Sequence, residues 1–365
     1  MTLRTRRTGT GPAVAPVDGV TPVPTRWVGP LRISGNAAEG EILVPLATYE
    51  TPLWPSVARG ARISRMVGGG IQTTLVDERM TRSVLLEATD AQAAHAAARA
   101  LDDRLDELRA LTRTTSRFAE LLAVRHEIAG PLLYVRFEFS TGDASGHNMV
   151  TLASDVLLTH LLAHLPNVGY GSISGNYCTD KKATAVNGIL GRGKNVTAEI
   201  LIPRQILADR LRTTAAKIAH LNVTKNLVGT LLAGGIRSAN AHYANMLLAF
   251  YLATGQDAAN IVEGSQGVTY ADDRDGDLYF SCTLPNLIVG TVGNGKGLPL
   301  VEDALLRLDC RADRPVGANA RRLAALAAAT VLCGELSLMA AQTNPGELMD
   351  AHSRLERPHG AHHDQ

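Results

Sequence analysis

Cysteine is scarce in this chain of 365 residues: there are four, Cys178, Cys282, Cys310 and Cys333, with no CxxC spacing and no disulfide framework. That excludes a small disulfide-stapled fold and points to a reducing cytoplasm; no metal site is expected. Aromatic residues are few, at 4%, while alanine is abundant, a composition that favours close helix packing. Neither sign of charge dominates, the net being +1. A polyanion-binding tail and a disordered acidic protein are thereby excluded, and no nucleic-acid partner is expected. No long apolar run is free of interruption: residues 323–341 come nearest and are broken by Gly334 and Glu335. They read as a buried helix, so no membrane partner is expected. The first ten residues hold Arg4, Arg6 and Arg7 without an acid, but no apolar run follows, which favours a mobile terminus over a targeting signal.

What is present is enough chain for a large core and two domains. Residues 1–26 are rich in Pro, Gly, Thr and Arg and carry no period, which predicts an extended arm. Short strands and turns follow to Pro45, then a helix opening at Pro52 and Pro55, because proline costs least in a first helical turn. Glu50 thus falls just before a helix N-terminus, where its anion is favoured. Gly68-Gly-Gly70 breaks the chain ahead of Ile71-Gln-Thr-Thr-Leu.

Residues 84–173 have an order of their own. Val84-Leu-Leu-Glu-Ala predicts a strand, and residues 90–111 one amphipathic helix capped by Asp90. Two further strands joined at Ala129-Gly-Pro131 read as a hairpin. A helix at 148–165 and a strand at 168–173 complete the set. This β-α-β-β-α-β order is the ferredoxin-like arrangement, here a small module inserted into a larger one. Beyond it lie a strand at 195–202, a helix from 204, an apolar helix at 240–255, strands near 267–270 and 278–283, and an alanine-rich helix at 318–341. The tail from Asn344 carries His352, His359, His362 and His363.

The chemistry gathers in loops. Ser174-Gly-Asn-Tyr-Cys-Thr-Asp-Lys-Lys182 sets two adjacent lysines and an aspartate among small polar residues. Adjacent ammonium groups repel, which favours deprotonation of one unless an anion lies near. Lys181-Lys182 is therefore a candidate oxyanion or carboxylate site, with a solvated basic turn as the alternative. Gly188-Ile-Leu-Gly-Arg-Gly-Lys194 has Walker A spacing, but Asn195 stands where Ser or Thr is required and a strand follows, so a P-loop is rejected. The run from Gly290 to Gly297 lacks GxGxxG spacing, although its glycines would admit a pyrophosphate or nicotinamide closely. Thr141-Gly-Asp143-Ala-Ser-Gly-His-Asn148 places an acid before a helix, where it caps the helix or lies against phosphate or ribose. Asp257 follows a buried helix, where desolvation or a lysine partner would perturb it. Ser116-Arg117 pairs a hydroxyl with an arginine, a combination suited to a 2′-phosphate. His352 is compatible with a movable general acid, and the other tail histidines are given no role.

Over about residues 29–352 the chain resembles the soluble catalytic portion of 3-hydroxy-3-methylglutaryl-coenzyme A (HMG-CoA) reductases. The resemblance is carried by Met80-Thr-Arg82, Thr141-Gly-Asp-Ala, the Ser174–Lys182 loop with Gly191-Arg-Gly-Lys194, and Lys225-Asn-Leu-Val-Gly229. It continues through Asn240-Ala-His-Tyr-Ala-Asn245, Gly255-Gln-Asp257-Ala-Ala, Asp277-Leu-Tyr-Phe-Ser-Cys-Thr-Leu-Pro285, Gly290-Thr-Val-Gly293 and Gly334-Glu-Leu-Ser-Leu-Met339. It implies an α+β fold: a large α/β substrate-binding domain around a long central helix, with an inserted ferredoxin-like NADP-binding domain. The corresponding division is an arm at 1–28, a large domain at 29–83 and 174–343, an insert at 84–173 and a mobile tail at 344–365.

The implied reaction reduces HMG-CoA to mevalonate and CoA by two hydride transfers from NADPH, in a homodimer or higher homo-oligomer with the site at the subunit interface. By the same resemblance Lys181 stabilises the thioester oxyanion and then the aldehyde oxygen, Glu50 donates a proton, and Asp257 sets the protonation of that pair. His352 protonates the departing thiolate. Arg82, Ser174, Asp180, Lys182 and Asn245 hold the substrate carboxylate or its surroundings. Ser116 and Arg117 grip the 2′-phosphate, and Asp143, Gly290, Thr291 and Gly293 form cofactor-binding turns. The chain departs from the family pattern at Thr51-Pro52-Leu-Trp-Pro55, where small residues are expected, and at His147, where methionine is expected. A reductase of another acyl-CoA and a silent CoA- or nucleotide-binding homologue are the competing readings.

Overall fold

Residues 21–356 are described by the computed structural model of the chain. Two antiparallel strands come first, β1 (Thr25–Gly35) and β2 (Gly40–Ala47). β1 begins inside the stretch expected to be an arm, because Val28 and Leu31 are buried and its backbone pairs with β2 from Thr25 onward. Helix α1 (Leu53–Met66) opens at Pro52, as the prolines predict. Gly70, at φ +65°, turns the chain into β3 (Ile71–Ala88).

The small module uses the second half of β3, followed by α2 (Ala91–Asp102), α3 (Leu105–Thr115), β4 (Glu120–Ala129), β5 (Leu132–Ser140), α4 (His147–His164) and β6 (Val168–Ser172). Its strands lie in the order β4-β5-β3-β6, all antiparallel, which is the ferredoxin-like order. Asp90 caps α2 through the Ala93 N–H, as expected. The single helix expected at 90–111 is nevertheless two. Asp102 and Asp103 stand at the end of α2, where carboxylates oppose the helix dipole, and the chain turns there before α3.

The larger sheet runs β2-β1-β3-β7-β10-β9-β8. After α5 (Ala185–Leu190), β7 (Gly193–Ile202) pairs with residues 72–79 of β3. Helix α6 (Ala215–Leu221), the short β8 (Ser238–Ala239) and α7 (Tyr243–Ala253) follow. α7 starts later than expected, at Tyr243, and the turn before it is held by the Asn240 side-chain oxygen, which accepts the Tyr243 N–H across 3.2 Å. β9 (Gly267–Arg274) and β10 (Asp277–Leu287) form a hairpin. α8 (Pro299–Arg307), α9 (Ala318–Gln342) and α10 (Glu347–Glu356) end the described chain. The tail expected to be mobile from 344 thus begins with a helix.

α9 is the central helix, buried without interruption from Leu323 to Ser337. It is long and apolar enough to cross a membrane, but 94% of its most apolar window is buried inside the fold, so it serves as core. Small residues let neighbouring helices approach it. A Cβ on Gly60 of α1 would fall 2.2 Å from the Cys333 carbonyl oxygen. Glu335, which interrupts the apolar run, accepts the N–H groups of Ala241 (2.6 Å) and His242 (3.0 Å) and the Thr269 hydroxyl (2.9 Å). Its burial is therefore fully compensated, and it anchors the start of α7.

Candidate active site

The Lys-Lys loop leaves the edge strand β6 and is held from behind by buried charge. Arg136, fully buried, donates to the carbonyls of Tyr177 and Gly191 and to Asn187 Oδ1, and pairs with the buried Glu138. Arg192 donates to the Thr81 carbonyl (2.7 Å) and to Asp180 Oδ1 (2.6 Å). The buried Glu263 accepts the Lys181 N–H across 3.1 Å. These anchors hold Asn176, Thr179 and Lys181 at φ +58°, +38° and +56°. A positive φ is an outlier for a β-branched threonine, and strain of this kind is kept where a side chain must be presented.

The side chain presented is Lys181. Its ammonium lies 2.8 Å from Asp257 Oδ2, with the two side chains 40% and 46% exposed. The hydrogen bond to Asp257 raises the lysine above its ordinary value. Asp257 is the nearby anion on which the charge of the lysine pair was expected to turn: the carboxylate outweighs repulsion from Lys182, whose Nζ turns to the Asp180 carbonyl. For Asp257 partial burial acts upward, but the bonds from Lys181 and from the Ala259 N–H hold it below its usual range. Burial also pushes Asp180 upward, and His147 with Arg192 overcomes this and holds it well below the carboxylate range. His147 Nε2 stands 3.6 Å from Asp180 Oδ1, beyond direct hydrogen-bond reach, whereas Arg192 bonds it directly.

Around this pair opens a cleft of about 480 Å³. Arg82, Asp180, Lys181, Asp257 and Gly293 line it, together with the first turn of α4 and the Val292–Lys296 loop. Arg82 is fixed by its bond to the Ile173 carbonyl (3.1 Å). Two of the predicted cofactor turns meet at its wall: the Asp143 carbonyl accepts the Thr291 N–H (2.8 Å). A Cβ on Gly290 would fall 2.3 Å from the Ser145 nitrogen, so only glycine lets these turns close up. The Asp143 carboxylate is not free for a ligand, however. It accepts the N–H groups of Gly317 (3.0 Å) and Ala320 (2.9 Å) and so caps α9.

The structure does not bring every predicted residue here. Glu50 accepts from Asn245 Nδ2 across 2.8 Å and lines a separate, apolar pocket of about 230 Å³ between α1, α9 and α10. The bulky run after Glu50 leaves this pocket open because Trp54 turns into the core, its indole N–H bonding the Leu46 carbonyl (2.9 Å). Ser174 is exposed near the start of the loop. Ser116 ends α3 and accepts the Phe118 N–H (3.1 Å), while Arg117 is exposed and stacks on the Phe118 ring at 4.6 Å. Position 352 falls within α10, and its side chain lies outside what the structure describes; His359, His362 and His363 lie outside the described residues.

Several residues escaped sequence reasoning. Lys296 lines the cleft 5% exposed and donates to the Gly255 carbonyl. Burial and the neighbouring Arg311 lower it to about 8. Arg59, Arg210 and Arg212 line an opening of about 630 Å³ that shares Arg59 and Glu347 with the Glu50 pocket. The one signal for Lys296 was its place between Gly295 and Gly297; the arginines lie far apart in sequence and offered none.

The fold, an inserted ferredoxin-like module beside a sheet packed on a long buried helix, is that of a two-domain α+β reductase family. The hydroxymethylglutaryl-coenzyme A reductase family model matches residues 15–357, and the chain belongs to that family. It is 45% identical over 343 residues to a 3-hydroxy-3-methylglutaryl-coenzyme A reductase of Pyrococcus horikoshii, covering 93% of this chain and 82% of that one. It is 43% identical over 341 residues to the reductase of the same name from Aeropyrum pernix, covering 93% and 80%. Among solved structures, the class II enzyme of Streptococcus pneumoniae bound to NADPH superposes with a TM-score of 0.70 at 20% identity, covering 91% of this chain and 88% of that one. That last likeness is one of fold.

Proposed function

We propose that this chain reduces HMG-CoA to mevalonate and CoA with two hydrides from NADPH, as its family and its relatives' names indicate. The observation that carries the reading is the Lys181–Asp257 pair, set on a strained loop at the edge of a cleft. A preorganised ammonium is suited to the negative charge that develops on a thioester oxygen, and again on an aldehyde oxygen. Asp257 keeps Lys181 charged through both stages. Glu50, oriented by Asn245, supplies the proton to the reduced carbonyl. His352 on α10 protonates the leaving thiolate. Arg82 and Lys182 are the cations for the substrate carboxylate, with Asp180, Ser174 and Asn245 shaping their surroundings.

The nicotinamide cofactor supplies hydride. The residues present fit it: the first turn of α4 has no side-chain cap and faces the cleft, and Gly290, Thr291 and Gly293 form the adjoining wall. Arg117 and Ser116 grip the 2′-phosphate, and Asp143 holds the turn rather than touching the cofactor. On the opposite side, Arg59, Arg210 and Arg212 suit the phosphates of CoA, and the apolar pocket leads from them toward Glu50.

Lys181 and Glu50 line different pockets of one chain, and a second subunit supplies what each lacks. An apolar face with Leu231 at 77% and Leu232 at 83% exposure supports this homodimer. We further place the protein in the cytoplasm and divide it into the large domain at 29–83 and 174–343 and the insert at 84–173. The deciding experiment follows NADPH oxidation with HMG-CoA and with a panel of other thioesters. Turnover on HMG-CoA above the other thioesters is expected. CoA binding without turnover would instead favour a silent homologue, and preference for NADH would remove the role given to Arg117.

A further inference from the structure

Glu347, the first residue of α10, sits where three parts of the chain meet. Its carboxylate pairs with Arg59 Nη1 of α1 at 2.9 Å and with Arg212 Nη2 at 3.1 Å, and it accepts from Asn344 Nδ2 at 2.9 Å. The side chain is only 14% exposed, whereas Arg212 is 69% exposed. Arg59 is itself tied to the carbonyls of Arg210 (3.4 Å) and Leu211 (3.2 Å). Glu347 therefore joins α10 to α1 and to the turn at 210–212. It is also one of two residues shared by the apolar pocket that holds Glu50 and the arginine-lined opening beside it.

Resting on the reading above, we propose that Glu347 is a positioning residue that anchors α10, and with it position 352, over the thioester pocket by occupying guanidinium groups that the substrate's phosphates also seek. Two consequences of opposite sign follow from one carboxylate. Without its charge α10 loses its ties to α1, so an acid carried five residues further along is no longer held. Without its charge Arg59 and Arg212 are also released to an incoming phosphate.

The reaction separates the two effects. In the first stage hydride adds to the thioester carbonyl, the C–S bond breaks with its electron pair going to sulfur, and the thiolate takes a proton. In the second stage hydride adds to the aldehyde carbonyl and the oxygen takes a proton, with no thiolate leaving. An anchor for the thiolate's acid matters to the first stage alone.

The test compares Glu347→Gln with the wild-type chain in three measurements: kcat on HMG-CoA, kcat on the free aldehyde mevaldehyde, and Kd for CoA by calorimetry. The variant is expected to lose about tenfold or more on the thioester and to stay within about twofold on the aldehyde. It is expected to bind CoA about threefold more tightly, the scale of a partly exposed ion pair. A parallel fall on both substrates, an unchanged thioester rate, or unchanged or weaker CoA binding overturns the proposal. If Glu347→Gln loses its cooperative melt, Asn344→Ala carries the test, since it removes one hydrogen bond to the same carboxylate and leaves the arginines in place. Its ratio of thioester to aldehyde turnover should fall by about threefold, and an unchanged ratio overturns the anchor. Absence of turnover in the wild-type chain would count against the proposed reaction, whereas the CoA titration judges the anchor without turnover.

Discussion

The Lys181 ammonium meets the Asp257 carboxylate at 2.8 Å, and each holds the other in its charged form. Lys181→Met should lower kcat on HMG-CoA by about 100-fold or more, the usual loss for a preorganised charge at a developing oxyanion. Asp257→Asn removes what raises the lysine, so the alkaline limb of the kcat profile should move to lower pH. The pair's stability contribution is fully present between the unfolded values, about pH 4 to about pH 10. It is lost as pH rises through the raised Lys181 value or falls through the lowered Asp257 value. With both side chains this exposed it amounts to less than about 1 kcal/mol. Rate profiles and denaturant midpoints against pH check both parts.

Asp180 behaves differently because its partner is buried. Arg192 is 2% exposed, and Asp180→Asn leaves its guanidinium without an ion pair at that end. The loss should be about 3 kcal/mol, read as a lower urea midpoint at neutral pH. Because the Asp180 value is depressed, the wild-type gain is present above the unfolded carboxylate value of about 4 and disappears as pH falls through the folded one. The Asn variant should therefore lose less stability on acidification than the wild type.

Lys296 gives the reverse sign. Its value falls from 10.5 to about 8, so between those limits the unfolded chain binds a proton that the folded chain does not. Wild-type stability should rise with pH across that window, by up to about 3 kcal/mol. Lys296→Met should flatten the slope and gain stability at neutral pH. Urea midpoints measured from neutral to alkaline pH decide it, and an unchanged slope would falsify the assignment.

Gly290→Ala places a methyl group against the backbone of Ser145, Ala144 and Asp143, none of which can yield as a side-chain end would. The two cofactor turns must part. We expect about 2 kcal/mol of destabilisation and a KM for NADPH raised about tenfold or more. CoA affinity, proposed to rest on Arg59, Arg210 and Arg212, should not change.

Much of this was legible in the sequence where local rules and tertiary packing agree. The prolines opened α1, Asp90 capped α2, Ala129-Gly-Pro131 turned the hairpin, and the βαββαβ order emerged from period alone. Reading failed where a charge meets a distant partner. The adjacent lysines made the charge of Lys181 depend on a nearby anion, and only the fold brings one up, Asp257, from far away in sequence. Asp143 looked like a cap for the helix beside it and instead caps α9, 174 residues from Gly317. Asp102 and Asp103 outweighed a continuous amphipathic period and split one helix into two. Arg136, Arg192 and Glu263 left no local trace at all, since what they do is visible only once the loop they hold is folded over them.

β3 pairs with β1 and β7 along its first half and with β5 and β6 along its second, changing sheets near residues 79–80 without a break in the strand. It is bonded on both sides only near its ends, by β1 and β7 at residues 72–73 and by β5 and β6 at residues 85–87, while at its midpoint β7 hands over to β5. The parts beside the two pockets that no ladder holds are the 174–184 loop, the Val292–Lys296 loop and α10, each tied down by side chains instead.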